Sequence, residues 1–286
     1  MIYVGFSGGI DSMVLLHQLK QHHTSITAIH VNHHISKNAG DWEKFCKEYC
    51  ESNNIGIVIK HVHLKTVTED EARQHRYKAF KQTCDEIYLA HHQDDDIETM
   101  MFKMIRGCGV AGLKGIGSKT QVDGFTIHRP MLEMSKQQIK QYATQHNLSW
   151  VTDESNECDD YSRNFLRNNI IPMLKKKFPM FSNSMQNLKQ HMIEADDLMV
   201  EIAQQDAMQT QMDIKKIREL SSTRRRNLVR YYIKKRVGNL PPSKQFNEFV
   251  RQIETSITGS KTRLKIGTCV LGIQNSKLTQ LSHSDV

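Results

Sequence analysis

Ile2-Tyr3-Val4-Gly5-Phe6-Ser7-Gly8-Gly9-Ile10-Asp11-Ser12-Met13-Val14-Leu15-Leu16 is the stretch that decides the fold. An apolar run, two glycines and a helix-like pattern carried on by Leu19 predict a strand, a tight turn and a helix start. Adjacent glycines let the backbone come close to a phosphate. The free N–H groups at the helix N-terminus then point at it. Ser7 and Ser12 add hydroxyl donors. Asp11 is the odd member, because a carboxylate repels phosphate. Its presence points to a bridging Mg²⁺, or to a nucleotide whose pyrophosphate leaves. The plainer alternative is a strand-to-helix turn with a Ser or Asp cap.

The first half of the chain continues the alternation. Strand-like runs occur at Ile2–Phe6, Ile26–Asn32, Ile57–Val62 and Ile87–His91, and helical patterns at Ser12–Gln21, Asp41–Ser52, Glu69–Cys84 and Asp94–Arg106. Near-continuous apolar strands between helices predict an α/β fold, a parallel sheet with helices on both faces. Ligands bind such sheets beyond the C-terminal strand ends, where Ser7–Ser12, Asn32-His33 and His91–Asp95 fall. Ser135-Lys136-Gln137-Gln138 reads as a capping box. From Asp160 the chain turns helical and basic, and a long helix around Ser182–Gln211 links to two or three more over 213–256. The tail, Thr262–Ile266, Cys269–Gln274 and Leu278–Leu281, alternates like short antiparallel strands. The expected domains are 1–185, a linker helix over 186–212, and a smaller, mainly helical domain with a few strands over 213–286.

At 286 residues, with 38% hydrophobic and 24% charged residues, the chain is globular and long enough for two domains. No apolar run reaches the roughly 18 residues of a membrane span. The first strand meets the phosphate loop at once, which leaves no room for a signal peptide. The six cysteines, Cys46, Cys50, Cys84, Cys108, Cys158 and Cys269, form no Cys-x-x-Cys pair, so reduced thiols in the cytoplasm are expected. The pairs His22-His23, His33-His34 and His91-His92 make poor chelators, since adjacent side chains diverge. Gly107-Cys108-Gly109-Val110-Ala111-Gly112 matches G-x-G-x-x-G but follows a helix and runs into more loop, so it reads as a flexible active-site loop.

Charge is uneven. Residues 1–157 hold 17 Lys+Arg against 19 Asp+Glu, and residues 158–286 hold 22 against 12. A basic half beside a near-neutral one suits a polyanion larger than a nucleotide, with nucleic acid the leading choice. Thr223-Arg224-Arg225-Arg226 with Arg230, Lys234, Lys235 and Arg236 forms a basic helix that fits RNA backbone contact. Its Tyr231 and Tyr232 read as core. Ala90–Thr99 packs Asp94, Asp95, Asp96 and Glu98 into five residues at a helix start. Capping there suits Asp94, but it does not need four carboxylates. Asp95 and Glu98 share a face and could grip one cation, Mg²⁺ or an amine.

The Ser7–Ser12 loop resembles that of the ATP pyrophosphatase (PP-loop) family. Taken with His30-Val31-Asn32-His33, Ala72-Arg73-Gln74-His75-Arg76-Tyr77, Ala90–Thr99 and Arg106-Gly107 through Leu113, the chain resembles tRNA(Ile)-lysidine synthetases. Arg129-Pro130-Met131-Leu132, Asp153-Glu154-Ser155-Asn156 and Arg163-Asn164-Phe165-Leu166-Arg167 extend the match over most of residues 1–170. Residues 213–281 resemble that family's tRNA-binding domain more loosely. His33-His34-Ile35 departs from the usual His-Gly-Leu.

The resemblance implies a two-step ligation on an isoleucine tRNA with a CAU anticodon. ATP adenylates the wobble cytidine, and free L-lysine then displaces AMP at carbon 2. It implies that Ser7, Gly8, Gly9, Ile10, Asp11 and Ser12 bind ATP, with Asp11 the candidate Mg²⁺ ligand. Asp95 and Glu98 would bind lysine. Arg106, Arg163 and Arg167 would hold phosphates or the lysine carboxylate beside the catalytic Asp11 and Asp95. Arg224, Arg225, Arg226 and Arg230 would bind tRNA. Competing readings are a PP-loop tRNA thiolase, for which paired cysteines are wanting, an amidating synthetase of the same fold, and a catalytically inert nucleic-acid-binding module. The oligomeric state stays open, a homodimer included.

Overall fold

A computed structural model describes residues 1–64, 68–152, 162–255 and 262–281. The expected segment Asp153–Asn156, with Cys158 and Asp160, lies outside the described residues. The chain divides into two compact units, Met1–Gln190 and His191–Val286.

In the first unit β1 (Ile2–Gly5), β2 (Ile26–Asn32), β3 (Gly56–His61), β4 (Glu86–Tyr88) and β6 (Phe125–His128) are parallel, and β5 (Lys119–Val122) is antiparallel to β6. Their order is β3-β2-β1-β4-β6-β5. The chain leaves β1 toward β2 and β3, then returns to place β4 on the other side of β1. The loops after β1 and β4 therefore flank the switch point, where ligands bind in such sheets. The β5–β6 hairpin was not foreseen. Its turn, Asp123 at φ 51 and Gly124 at φ 77, is the Asp-Gly pair that a two-residue hairpin favours.

Strand alternation sorts the two cores. Val4, Phe6 and Ala28 face α1 (Ile10–His22), α2 (Ala39–Ser52) and α6 (Lys136–Gln145), with Met13, Leu16, Cys46, Cys50 and Ile139 buried among them. Ile29, Ile87, Leu89 and Ile127 face the other way, onto Phe80 of α3 (Glu69–Lys81). Helices thus cover both faces, as the near-continuous apolar strands require. A third cluster joins Ile97, Met100 and Met101 of α4 (Gln93–Ile105) to Leu166, Ile171 and Met185. Those last residues belong to a π-helical segment (Leu166–Ile170), α8 (Ile171–Lys177) and α9 (Phe181–Thr210). The π-helical segment follows α7 (Ser162–Phe165), and α5 is Val110–Leu113.

The second unit packs α10 (Ile214–Glu219), α11 (Ser222–Val237) and α12 (Ser243–Thr255) on an antiparallel sheet, β7 (Arg263–Ile266), β8 (Cys269–Gln274) and β9 (Lys277–Leu281). Ile217, Leu228, Ile233, Phe249, Ile253 and Leu271 form its core. Tyr232 is buried there, as its sequence position suggested. Among the described residues no helix is long and apolar enough to cross a membrane.

Candidate functional site

The loop between β1 and α1 presents backbone donors. Gly8 sits at φ +83, and a Cβ there would meet Cys46 Sγ at 3.0 Å and Val151 Cγ2 at 3.1 Å. Only glycine fits that turn without strain. α1 begins after Gly9 with no side-chain cap, so its first N–H groups are available to an outside acceptor. The Ser7 and Ser12 hydroxyls lie 3.1 Å apart, and Ser12 donates to the Gly9 carbonyl at 2.9 Å.

Asp11, on the first turn of α1, takes Lys136 Nζ on both oxygens at 2.5 and 2.7 Å. A single carboxylate on the same loop as the Ser7 and Ser12 hydroxyls suits a Mg²⁺ held mainly by phosphate oxygens, not a protein cage. Among the described residues no three His, Cys, Asp or Glu side chains gather as a metal site. Any such ion would share the Asp11 carboxylate with Lys136 or displace it.

Beyond β4 the cap expected of Asp94 is made instead by His92 and Asp95. His92 Nδ1 accepts the Asp94 N–H at 3.2 Å, and Asp95 accepts the His92 N–H at 3.0 Å. With Nδ1 accepting, the ring proton belongs on Nε2. That nitrogen lies 3.6 Å from Asp11 and 3.5 Å from Asp95. The buried His92 therefore connects the phosphate loop to the carboxylate cluster. Asp94 accepts the Lys136 N–H at 2.8 Å and pairs with Lys175. Burial pushes its carboxyl up, but Lys175 and the Lys136 N–H outweigh that and leave it below its usual value.

Asp95, Glu98, Phe102 and Arg106 follow one face of α4, at helical spacing. Arg167, from the π-helical segment, donates Nε to Glu98 at 2.8 Å and Nη2 to Asp95 at 3.2 Å. Such segments recur at functional sites. Arg106 and Arg163 both lie over the Phe102 ring, at 5.3 and 5.0 Å from its centre. Asp11, Asp95, Glu98, Arg167, Arg163 and Arg106 are thus gathered along one edge of the first unit.

Asp96 is fully buried and binds Lys189 at 2.6 Å and the Ile116 N–H at 2.5 Å. Gly115, at φ +64, has no room for a Cβ against that carboxylate. Arg129 also donates to the Gly117 carbonyl at 2.8 Å. The Gly115–Gly117 end of the glycine-rich segment is therefore fastened, because its backbone supplies partners to Asp96 and Arg129.

In the second unit the basic helix divides its arginines. Arg224 pairs with the buried Asp206. Arg225 pairs with Glu254 at 2.7 Å and donates to the carbonyls of Ile217, Arg218 and Leu220. Arg226 and Arg230 lie 5.3 and 5.1 Å from the centre of the Phe246 ring, and Arg226 donates to Asn247 at 2.6 Å.

Sequence reasoning missed His92, Lys136, Lys175 and Lys189. For His92 the signal was a cap position three residues ahead of Asp95. The lysines had none, since their carboxylates lie far away in sequence.

The family described as a PP-loop domain matches residues 1–174, and that described as a TilS substrate binding domain matches 212–278. The tRNA(Ile)-lysidine synthase of Nitrosomonas europaea is 38% identical over 266 residues, covering 87% of this chain and 58% of that protein. That of Actinobacillus pleuropneumoniae serotype 3 is 33% identical over 277 residues, covering 92% and 65%. The chain thus spans less than two thirds of the length of either relative. Among solved structures, the U34-tRNA thiolase NcsA from Methanococcus maripaludis, with its [4Fe-4S] cluster, aligns at TM-score 0.55 and 21% identity over 68% of this chain and 71% of that one. That likeness is one of fold.

The pair at Glu98 makes a pH-dependent prediction. Burial pushes the Glu98 carboxyl above its ordinary 4.5, with Arg167 pulling it back down. A raised folded value means that the group's contribution is fully present below 4.5 and lost as pH rises. Arg167→Gln removes the cation and raises Glu98 further. It should cost about 1–2 kcal/mol at pH 7, less than the ~3–5 kcal/mol of a fully buried pair because the Arg167 side chain is 45% exposed. The cost should shrink toward pH 4.5. Urea titrations at the two pH values check this, and equal costs would refute it.

Proposed function

Because this chain belongs to the tRNA(Ile)-lysidine synthase family of PP-loop proteins, we propose that it ligates lysine to the wobble cytidine of an isoleucine tRNA with a CAU anticodon. ATP binds with its phosphates on the Ser7–Ser12 backbone and the α1 N-terminus. The cytidine O2 attacks the α-phosphorus and pyrophosphate leaves. The lysine side-chain amine then attacks carbon 2, AMP leaves, and the amine proton passes to a nearby carboxylate. Mg²⁺ bound to ATP, beside Asp11, would neutralise the leaving pyrophosphate.

One observation carries this reading. His92 Nε2 stands 3.6 Å from Asp11 of the phosphate loop and 3.5 Å from Asp95 of the carboxylate face. That proximity supports a reading in which a nucleotide site and an ammonium site adjoin at the switch point of the sheet. Asp95 and Glu98 already hold a guanidinium there, Arg167, so the same oxygens suit the lysine ammonium groups. Arg163 and Arg106 are placed for a carboxylate or phosphates. We assign catalysis to residues 1–185, a linking role to 186–212, and tRNA contact to 213–286. The reaction belongs in the cytoplasm, in keeping with free thiols at Cys46, Cys50, Cys84, Cys108 and Cys269.

Pyrophosphate release with the CAU tRNA, ATP and a panel of amines tests the proposal. Asp11→Ala should abolish release, a loss of 100-fold or more, in a protein that still folds. Normal release by that variant would remove Asp11 from the mechanism.

Asp95→Asn should raise the KM for lysine at least tenfold while tRNA adenylation without lysine changes little. Equal loss of both steps, together with loss of ATP binding, would make the pair a nucleotide or metal site instead.

For tRNA affinity, Arg226 and Arg230 are better probes than Arg225, whose guanidinium closes the α10–α11 turn. Replacing both with Gln should lower affinity and flatten its salt dependence by about 0.7–0.9 log unit for each phosphate no longer neutralised. Choice of cytidine over uridine should persist. An unchanged salt slope would move the tRNA interface elsewhere.

A further inference from the structure

Three basic side chains outside the machinery above have buried nitrogens without hydrogen-bond partners: both ring nitrogens of His33, Nδ1 of His91 and Nε of Arg129. Buried polar atoms are nearly always satisfied, and such exceptions ask for a ligand or water. His33 follows β2, His91 lies just beyond β4, and Arg129 directly follows β6. All three stand at the C-terminal edge of the parallel strands.

Arg129 is 5% exposed. Its Nη1 is used by the Gly117 carbonyl and Thr120 Oγ1, both at 2.8 Å, which fixes the guanidinium and leaves Nε over. Tyr77 of α3 acts on Arg129 and accepts a hydrogen bond from Arg73 at 3.3 Å. Arg73 and Arg76, one helical turn apart, both act on His91.

Guanidinium charge stands beside both imidazoles. Arg129, Arg73 and Arg76 act on His91, and Arg76 also acts on His33. Burial first, and these cations second, push His91 down to about 3 and His33 down to about 4. Both rings are therefore neutral at pH 7, each with one N–H to donate. Asp96 also acts on Arg129, but its oxygens are taken by Lys189 and Ile116. Donors backed by guanidinium charge and lacking an acceptor make a complement to an oxyanion.

We propose that His33, His91 and Arg129, with Arg73 and Arg76 beside them, form an oxyanion pocket distinct from the Ser7–Ser12 loop, and that it takes a backbone phosphate of the RNA substrate. The identity of that ligand rests on the function proposed above. Three oxyanions are on offer there: an RNA phosphate, an ATP phosphate and the lysine carboxylate. RNA is favoured because an open groove of about 450 Å³ runs along α3 between Arg73, Tyr77, Lys78 and Lys81. Arg73 and Tyr77 belong to both groove and pocket. A polymer with further phosphates fits that continuity, and neither small ligand does.

The test compares Arg73→Gln and His33→Asn with the wild-type chain. Arg73 is exposed, so its replacement spares the core. A CAU anticodon stem-loop RNA is titrated at several salt concentrations, and ATP and lysine binding are measured separately. RNA affinity should fall about tenfold in each variant. The salt slope should fall by about 0.7–0.9 for Arg73→Gln, and ATP and lysine affinities should stay within twofold. Wild-type RNA affinity in both natively folded variants would overturn the pocket alone, since the wild-type chain would still bind RNA and release pyrophosphate. Loss confined to ATP or to lysine would also overturn it, in favour of that ligand. A wild-type chain that binds no RNA would overturn both the pocket and the function on which it rests.

Discussion

Four carboxylates within five residues of a helix start repel one another, and the first unit is organised around relieving that repulsion. Asp94 meets Lys175 of α8, Asp95 and Glu98 meet Arg167 of the π-helical segment, and Asp96 meets Lys189 of α9. Each cation comes from an element later in the chain. The helix dipole favours negative charge at that end, but by too little to offset four charges at close range. The apolar face of α4 and its acidic face are therefore covered by the same segment. Ile97 and Met100 pack on Leu166, Ile171 and Met185, while the charges close above them. Burial and pairing reinforce each other. Losing either exposes the other to water or leaves a charge unpaired.

These pairs do different work. Asp96 is fully buried, its lysine nearly so, and together they clamp the glycine-rich loop through the Ile116 N–H and carbonyl. That is a framework. In the Glu98–Arg167 pair the carboxylate is buried while the Arg167 side chain stays 45% exposed. His92 ties the two regions together from a buried position, reaching Asp11 and Asp95 through one ring nitrogen.

The second unit shows the same division with the signs reversed. Its helix offers a run of arginines, and the unit uses some of them on itself. Arg225 satisfies carbonyls at the end of α10, a region that would otherwise leave backbone acceptors unmet. Arg224 neutralises the buried Asp206. Arg226 and Arg230 lie against Phe246 and stay partly exposed. An excess of positive charge measured along the sequence therefore overstates the charge that the surface offers to a polyanion.

What the sequence determined by itself is what contiguous residues determine. The Gly8-Gly9 turn, the start of α1, the strand and helix periods, the Ser135 capping box and the antiparallel tail all rest on local backbone preferences or on periods of 2 and 3.6. Asp95 and Glu98 were legible as a pair because three residues on a helix is one face. The Asp123-Gly124 hairpin was equally local, and was overlooked. Only the tertiary structure decided which cation answers which acid. Lys136 lies 125 residues from Asp11, Arg167 lies 69 from Glu98, and Lys189 lies 93 from Asp96. No periodicity spans such intervals, since the pairing depends on how the strand order folds α4, α6 and α8 onto one edge. It also decided which arginines of one basic helix serve the fold. Four neighbours alike in sequence differ only in what other elements place beside them.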